Sequence, residues 1–204
     1  MNATDEALEL AGSARLRLAQ RHLLERGLLS VRIPGRDAMA LVRSEGDPRV
    51  VAFAAAGSEA GAEAHGRAYL RRADAGAVLT ACPPWGSALA GLGQPMPVVF
   101  DEQARHLGQP IRPWSEAALA AQGNAFFRPE GILCLGTTRD RLLLNAELLE
   151  KCCQAYLLAL LSGGRIKPIP LLVRIIARSR LRKDQRAAAA ALAAGSFPET
   201  ATAY

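Results

Sequence analysis

The side chains with chemistry to offer cluster around one stretch, Gly76–Gly108. An apolar run, Ala77–Leu79, leads through Thr80 and Ala81 to Cys82, then to a stiff Pro83-Pro84-Trp85 corner. A strand end that meets a helix start leaves backbone N–H groups unpaired, and α/β proteins place ligands there. Around this point lie Glu59, Glu63 and His65 upstream, and Asp101, Glu102, Arg105, His106 and Glu130 downstream. Cys82 with His106 or His65 would make a thiol–imidazole pair for nucleophilic chemistry. Cys82, His106 and a carboxylate would make a zinc site, or a site for another divalent ion. Glu59 and Glu63 are four apart and share a helix face, where either could serve as acid or base. Each group also has a plainer use. Cys82 is small and semi-apolar, and Asp101, Glu102, Arg105 and His106 can form salt bridges in a loop or between subunits. Trp85 and Trp114 suit packing or an interface, and His22 has no partner one turn away.

The elements that must position these groups follow from periodicity and turn chemistry. A first helix is expected over Asp5–Arg26, opened by Thr4 and closed by Gly27. Strands over Leu28–Ile33, Met39–Arg43 and Arg49–Phe53 would form a meander. Ser58 would cap a helix running to about Arg71, followed by the central strand and a short helix over Gly86–Leu92. A Pro-flanked apolar run, Pro95–Phe100, precedes the polar cluster. Ser115 should cap a short helix to Ala121, and strands are expected over Ala125–Arg128 and Ile132–Leu135. Thr137 or Thr138 opens a long helix, Arg139–Leu161, stopped by Ser162-Gly163-Gly164. Pro168 and Pro170 keep the next segment extended, and a last helix spans Leu171–Ala194.

Length and composition bound the rest. The chain has 204 residues, half of them hydrophobic and 22% charged, which suits one folded domain and excludes global disorder. We assign residues 1–195 to that domain and 196–204 to a frayed tail. The formal charge of +6 is uneven: residues 165–186 carry eight cationic side chains against Asp184 alone. That basic segment could pack on the body or a neighbouring subunit, or meet an anionic membrane or nucleic acid. No recognised nucleic-acid motif accompanies it. Cys82, Cys134, Cys152 and Cys153 form no CxxC pair, so a zinc knuckle or disulfide framework is not expected. The N-terminal MNATDEALEL lacks a signal-peptide pattern, and no run reaches the roughly 18 uncharged apolar residues of a membrane span. A cytoplasmic protein is expected.

Five segments carry a family resemblance: LLSVRIPG, HGRAYLRRADAGAVLTACPPWGSALAGLG, PVVFDEQARHLG, FRPEGILCLG and LLLNAELLEKCCQAYLLA. Together they resemble the class II aldolase/adducin family over about Asp5 to Ala190. The resemblance implies an α/β/α fold with a largely antiparallel central sheet, assembled as homotetramers with sites at subunit boundaries. It also implies a divalent ion, usually zinc, held by three histidines to stabilise an enediolate. Here, however, those ligand positions fall on Thr80, Cys82 and Leu144, and the acid/base glutamate falls on Gly61. The phosphate-binding asparagine falls on Leu28 and a further histidine on Glu130, while Ser30 and Gly131 survive as ligand-binding positions. A divalent ion needs lone pairs converging at about 2 Å, and leucine has none. The expectation is therefore a non-catalytic, metal-free, homo-oligomeric relative with a scaffolding, ligand-sensing or partner-binding role. The alternative is a lyase or epimerase rebuilt near Cys82.

Overall fold

The computed structural model describes residues 2–129 and 131–199. Seven strands form one sheet: β1 (Leu28–Arg32), β2 (Ala38–Arg43), β3 (Arg49–Ala52), β4 (Ala77–Ala81), β5 (Arg112–Pro113), β6 (Ala125–Arg128) and β7 (Gly131–Gly136). Their order is β3-β2-β1-β4-β7-β6-β5, and every pairing is antiparallel except β5 with β6. The sheet is mixed and largely antiparallel. Six α-helices accompany it: α1 (Ala3–Gln20), α2 (Glu63–Arg71), α3 (Pro84–Gly91), α4 (Glu116–Ala120), α5 (Arg139–Leu161) and α6 (Leu171–Ala193).

Both faces of the sheet are covered, which explains why its central strands read as unbroken apolar runs rather than alternating ones. Leu29, Val31, Leu79 and Cys134 point towards α1, α3 and α5, where Ala7, Ala11, Leu18, Leu142 and Leu149 pack. Leu28, Leu41, Val78 and Leu133 point to the other face, against Phe53, Ala68 and Tyr69 beside α2 and Leu119 of α4. The result is the expected α/β/α arrangement.

Two boundaries differ most from the sequence reading, while α3 starts at Pro84 instead of Gly86 and the third strand stops at Ala52. The first helix begins after Asn2, whose Oδ1 accepts from the Thr4 and Asp5 N–H groups, and it ends at Gln20 rather than Arg26. His22 takes φ +56, the Leu23 N–H reaches the Leu18 carbonyl, and the His22 N–H reaches Ala19. This left-handed stop turns Leu23 and Leu24 into the core, a gain that a continuing helix would forfeit. Second, Ser58 caps no helix. Phe53–Ser58 is a tight 3-10 turn, Gly61 takes φ +80, and α2 begins only at Glu63. The caps read for α4 and α5 are in place: Ser115 accepts from the Ala118 N–H at 3.1 Å and Thr138 from Arg141 at 3.1 Å. Residues 103–107 of the polar cluster form a wide helical turn, and the run before it pairs through Met96 with Ile111 and takes the Ile169 N–H on the Val98 carbonyl.

Candidate functional site

The end of β4 is held from two sides. In the antiparallel pairing with β1, Leu28 faces Thr80 and Ser30 faces Val78. This puts the Ser30 and Thr80 hydroxyls on the face covered by α2. His65 and Tyr69, one turn apart on α2, descend onto them. His65 Nδ1 lies 2.7 Å from Ser30 Oγ, His65 Nε2 lies 3.0 Å from Thr80 Oγ1, and Tyr69 Oη lies 2.9 Å from Ser30 Oγ. One proton order satisfies the whole set: Tyr69 donates to Ser30, Ser30 to Nδ1, and Nε2–H to Thr80. The imidazole stays neutral, its pKa driven down to about 3 by burial and then by the Arg128 charge. Burial likewise pushes the Tyr69 phenol up.

The position of α2 is fixed by Arg32. Its guanidinium donates to the carbonyls of Tyr69, Arg72 and Ala75, closing the helix C-terminus, and it lies 5.0 and 5.2 Å over the stacked rings of Tyr69 and Phe53. The hydroxyl–imidazole relay therefore rests on a firm frame.

Above this relay lies a cleft of about 150 Å³ whose polar lining comes from Arg26, Thr80, Cys82 and Arg128, with Leu28 and Gly61 beside them. Gly131 also borders it, and a Cβ there would overlap the Ala81 carbonyl oxygen. That close approach of β7 to β4 is sufficient reason for the glycine. Neither Arg26 nor Arg128 has a carboxylate partner among the described residues. Nothing in the sequence singled these two out, because one follows α1 and the other ends β6.

The sequence-derived candidates are dispersed. Ser30 is fully buried and committed to His65 and Tyr69, so a ligand in the cleft does not touch it. His65 lies beneath Thr80 with both ring nitrogens engaged. Glu59 pairs with Arg49 and Glu63 with Arg67, and neither lines the cleft. His106 accepts from Arg141 at 3.1 Å, its pKa lowered to about 4 by burial and by Arg141 and Arg105. It lines a groove against α6 together with Asp101, Glu102 and Arg105, whereas Cys82 lines the cleft. Arg105 bonds Asp184 of α6 at 2.9 Å, so part of this cluster joins elements within one chain. Trp85 lies elsewhere: its N–H and that of Gly86 donate to Glu150 of α5, which caps α3. Glu150 carried no sequence signal for this role. Leu144 is 41% exposed on α5 and does not border the cleft. Glu130 lies outside the described residues.

The donor set does not fit a divalent ion. Thr80 Oγ1 already bonds His65, Leu144 offers no lone pair, and Cys82 alone retains ligand character at those positions. Among the described residues, no three His, Cys, Asp or Glu side chains form a metal-binding group.

Comparison with solved structures places this geometry. An L-fuculose 1-phosphate aldolase superposes with a TM-score of 0.71 at 19% identity, over 89% of this chain and 98% of its own. The L-fuculose 1-phosphate aldolase of Glaciozyma antarctica PI12 gives 0.63 at 18%, over 98% and 95%. An aldolase II superfamily protein from Pseudomonas syringae gives 0.65 at 16%, over 95% and 94%. The chain has the class II aldolase/adducin-like fold. At such identities the likeness speaks of the fold alone. No family model and no curated protein matches the chain. Among the described residues, no helix is long and apolar enough to cross a membrane.

Proposed function

We propose that this chain is a metal-independent, non-catalytic protein on the class II aldolase fold, and that its β4 cleft holds a small carboxylate or phosphate as a sensing ligand. The observation that carries this reading is the relay of Ser30, His65 and Thr80. The polar atoms beneath the cleft bond one another, leaving no donor set for an ion that would stabilise an enediolate. The cleft keeps two guanidiniums, Arg26 and Arg128, with no carboxylate partner among the described residues. Arg128 is only partly exposed, and a cation so placed favours an anionic neighbour. The structural relatives named as acting on L-fuculose 1-phosphate make a phosphate-bearing ligand a reasonable first probe.

The test begins with metal content per chain, on protein purified without chelator and again after incubation with zinc. The expected result is sub-stoichiometric metal in both. Glycolate and inorganic phosphate are then titrated by calorimetry, and Arg128→Gln should weaken whichever binds by about tenfold. Stoichiometric zinc lost on Cys82→Ala would replace this reading with that of an enzyme rebuilt around Cys82, a lyase or epimerase centre.

A further inference from the structure

A cation-rich cavity lies away from the β4 cleft, between the C-terminal end of α2, the end of α4 and the second half of α6. Its volume is about 610 Å³, and four arginines line it: Arg71, Arg72, Arg182 and Arg186, against one carboxylate, Asp74. These cations are not equivalent. Arg72 is 3% exposed and fully occupied, with two bonds of 2.8 Å to Asp74 and further bonds to the Gly123 carbonyl and Asn124 Oδ1. Arg71 gives its Nε to Glu116. Arg182 and Arg186 have no acid partner among the described residues, and the only bond Arg186 makes is a long one, 3.4 Å, to the Arg182 carbonyl. They stand four residues apart on one helix face, where like charges repel.

Gln185 is what holds them there. Its side chain is buried, and its Nε2 donates to the Gln122 carbonyl at 3.1 Å and to Asn124 Oδ1 at 3.2 Å. This ties α6 to the same asparagine that Arg72 holds. The Gln185 Oε1 atom, by contrast, is buried with no donor. Buried acceptors are rarely left so in a native structure. The cavity thus combines two unneutralised guanidiniums on a fixed helix, a third alongside, and an acceptor that lacks a hydrogen.

We propose that this cavity binds the diphosphate group of a small molecule. Two phosphates match the two arginines one helical turn apart, each offering a charge-assisted fork.

The experiment is calorimetric titration of the full chain with pyrophosphate, without divalent ions, at low and moderate salt. Saturable binding at one site is expected, weakened about tenfold by Arg182→Gln and by Arg186→Gln. Arg180→Gln on the neighbouring groove should leave that site unchanged, and any second site removed by Arg128→Gln is the β4 cleft. Circular dichroism confirms that each variant is folded. Three results would overturn the proposal: no saturation by roughly 10 mM pyrophosphate, equal weakening by Arg180→Gln as for diffuse attraction, or loss only in Arg128→Gln. The last would assign the anion to the β4 cleft, while the first two leave the proposal for that cleft standing.

Discussion

Below the β4 cleft, Ser30, His65, Thr80 and Tyr69 bond one another in a closed set, whereas along α6 Arg182 and Arg186 have no acid partner among the described residues and Gln185 keeps an unpartnered oxygen. The two regions use polar residues for opposite ends. A buried polar set that is complete rigidifies a core and has little capacity left for a ligand. A set that is incomplete has that capacity, at the expense of repulsion in the empty state. Capacity for a ligand therefore lies where charge is left unmatched, at Arg26 and Arg128 above the closed set and at Arg182 and Arg186 along α6.

The sharpest way to break the contrast is to remove the centre of the closed set. His65→Ala takes the imidazole from Thr80 and from Ser30, which keeps only Tyr69, and leaves a void the size of the ring; it should cost about 3–5 kcal/mol in urea unfolding. A null effect would mean that the relay is not the keystone described here. A pH titration of stability sharpens the same point. Because the folded state holds the His65 pKa near 3 while the unfolded chain protonates near 6.5, stability is full above pH 6.5 and drains as pH falls towards 3. His106, lowered to about 4, adds loss in the same direction. Between pH 6.5 and about 4.5 the His65 share of the fall should be on the order of 2–3 kcal/mol, measured by urea melts, and His65→Asn should remove that share and leave the His106 part. Arg32→Met removes the cap on α2 but keeps an apolar stem over the two rings, for an expected loss of about 2 kcal/mol. Ile175→Gln, on the exposed side of α6, should change stability by less than about 0.5 kcal/mol. If it instead lowers the stability of the purified protein markedly, that face is covered in solution.

Much of the fold could be read from the chain because its signals are local. Thr138 and Ser162-Gly163-Gly164 bracket α5 at the predicted bounds, Ser115 caps α4, and the two prolines delay α6 to Leu171. Where a tertiary gain outweighs a local pattern, the reading slips. The α1 periodicity runs past Gln20, but burying Leu23 and Leu24 through a left-handed His22 wins. The candidate site was harder to read. Proximity to Cys82 in sequence made His65 and His106 alternative partners for its thiol, yet one is sealed beneath Thr80 and the other faces α6. Arg26 with Arg128, and Arg71 with Arg182, come from distant segments and meet only once the sheet is built. No spacing rule connects them.

The buried side of α6 begins at Leu181 and continues through Gln185, Ala188 and Leu192, while the ten residues before it bury none of their side chains. One continuous helix is therefore buried in its second half and only partly covered in its first, where Val173, Ile176 and Ala177 wall the groove that holds Asp101 and His106. Backbone amides from Leu171 to Arg180 should open more readily than those beyond Leu181. Hydrogen exchange along this single element should show a step rather than a gradient. Anything that grips the first half then reaches the rest of the molecule through Leu181, Asp184 and Gln185.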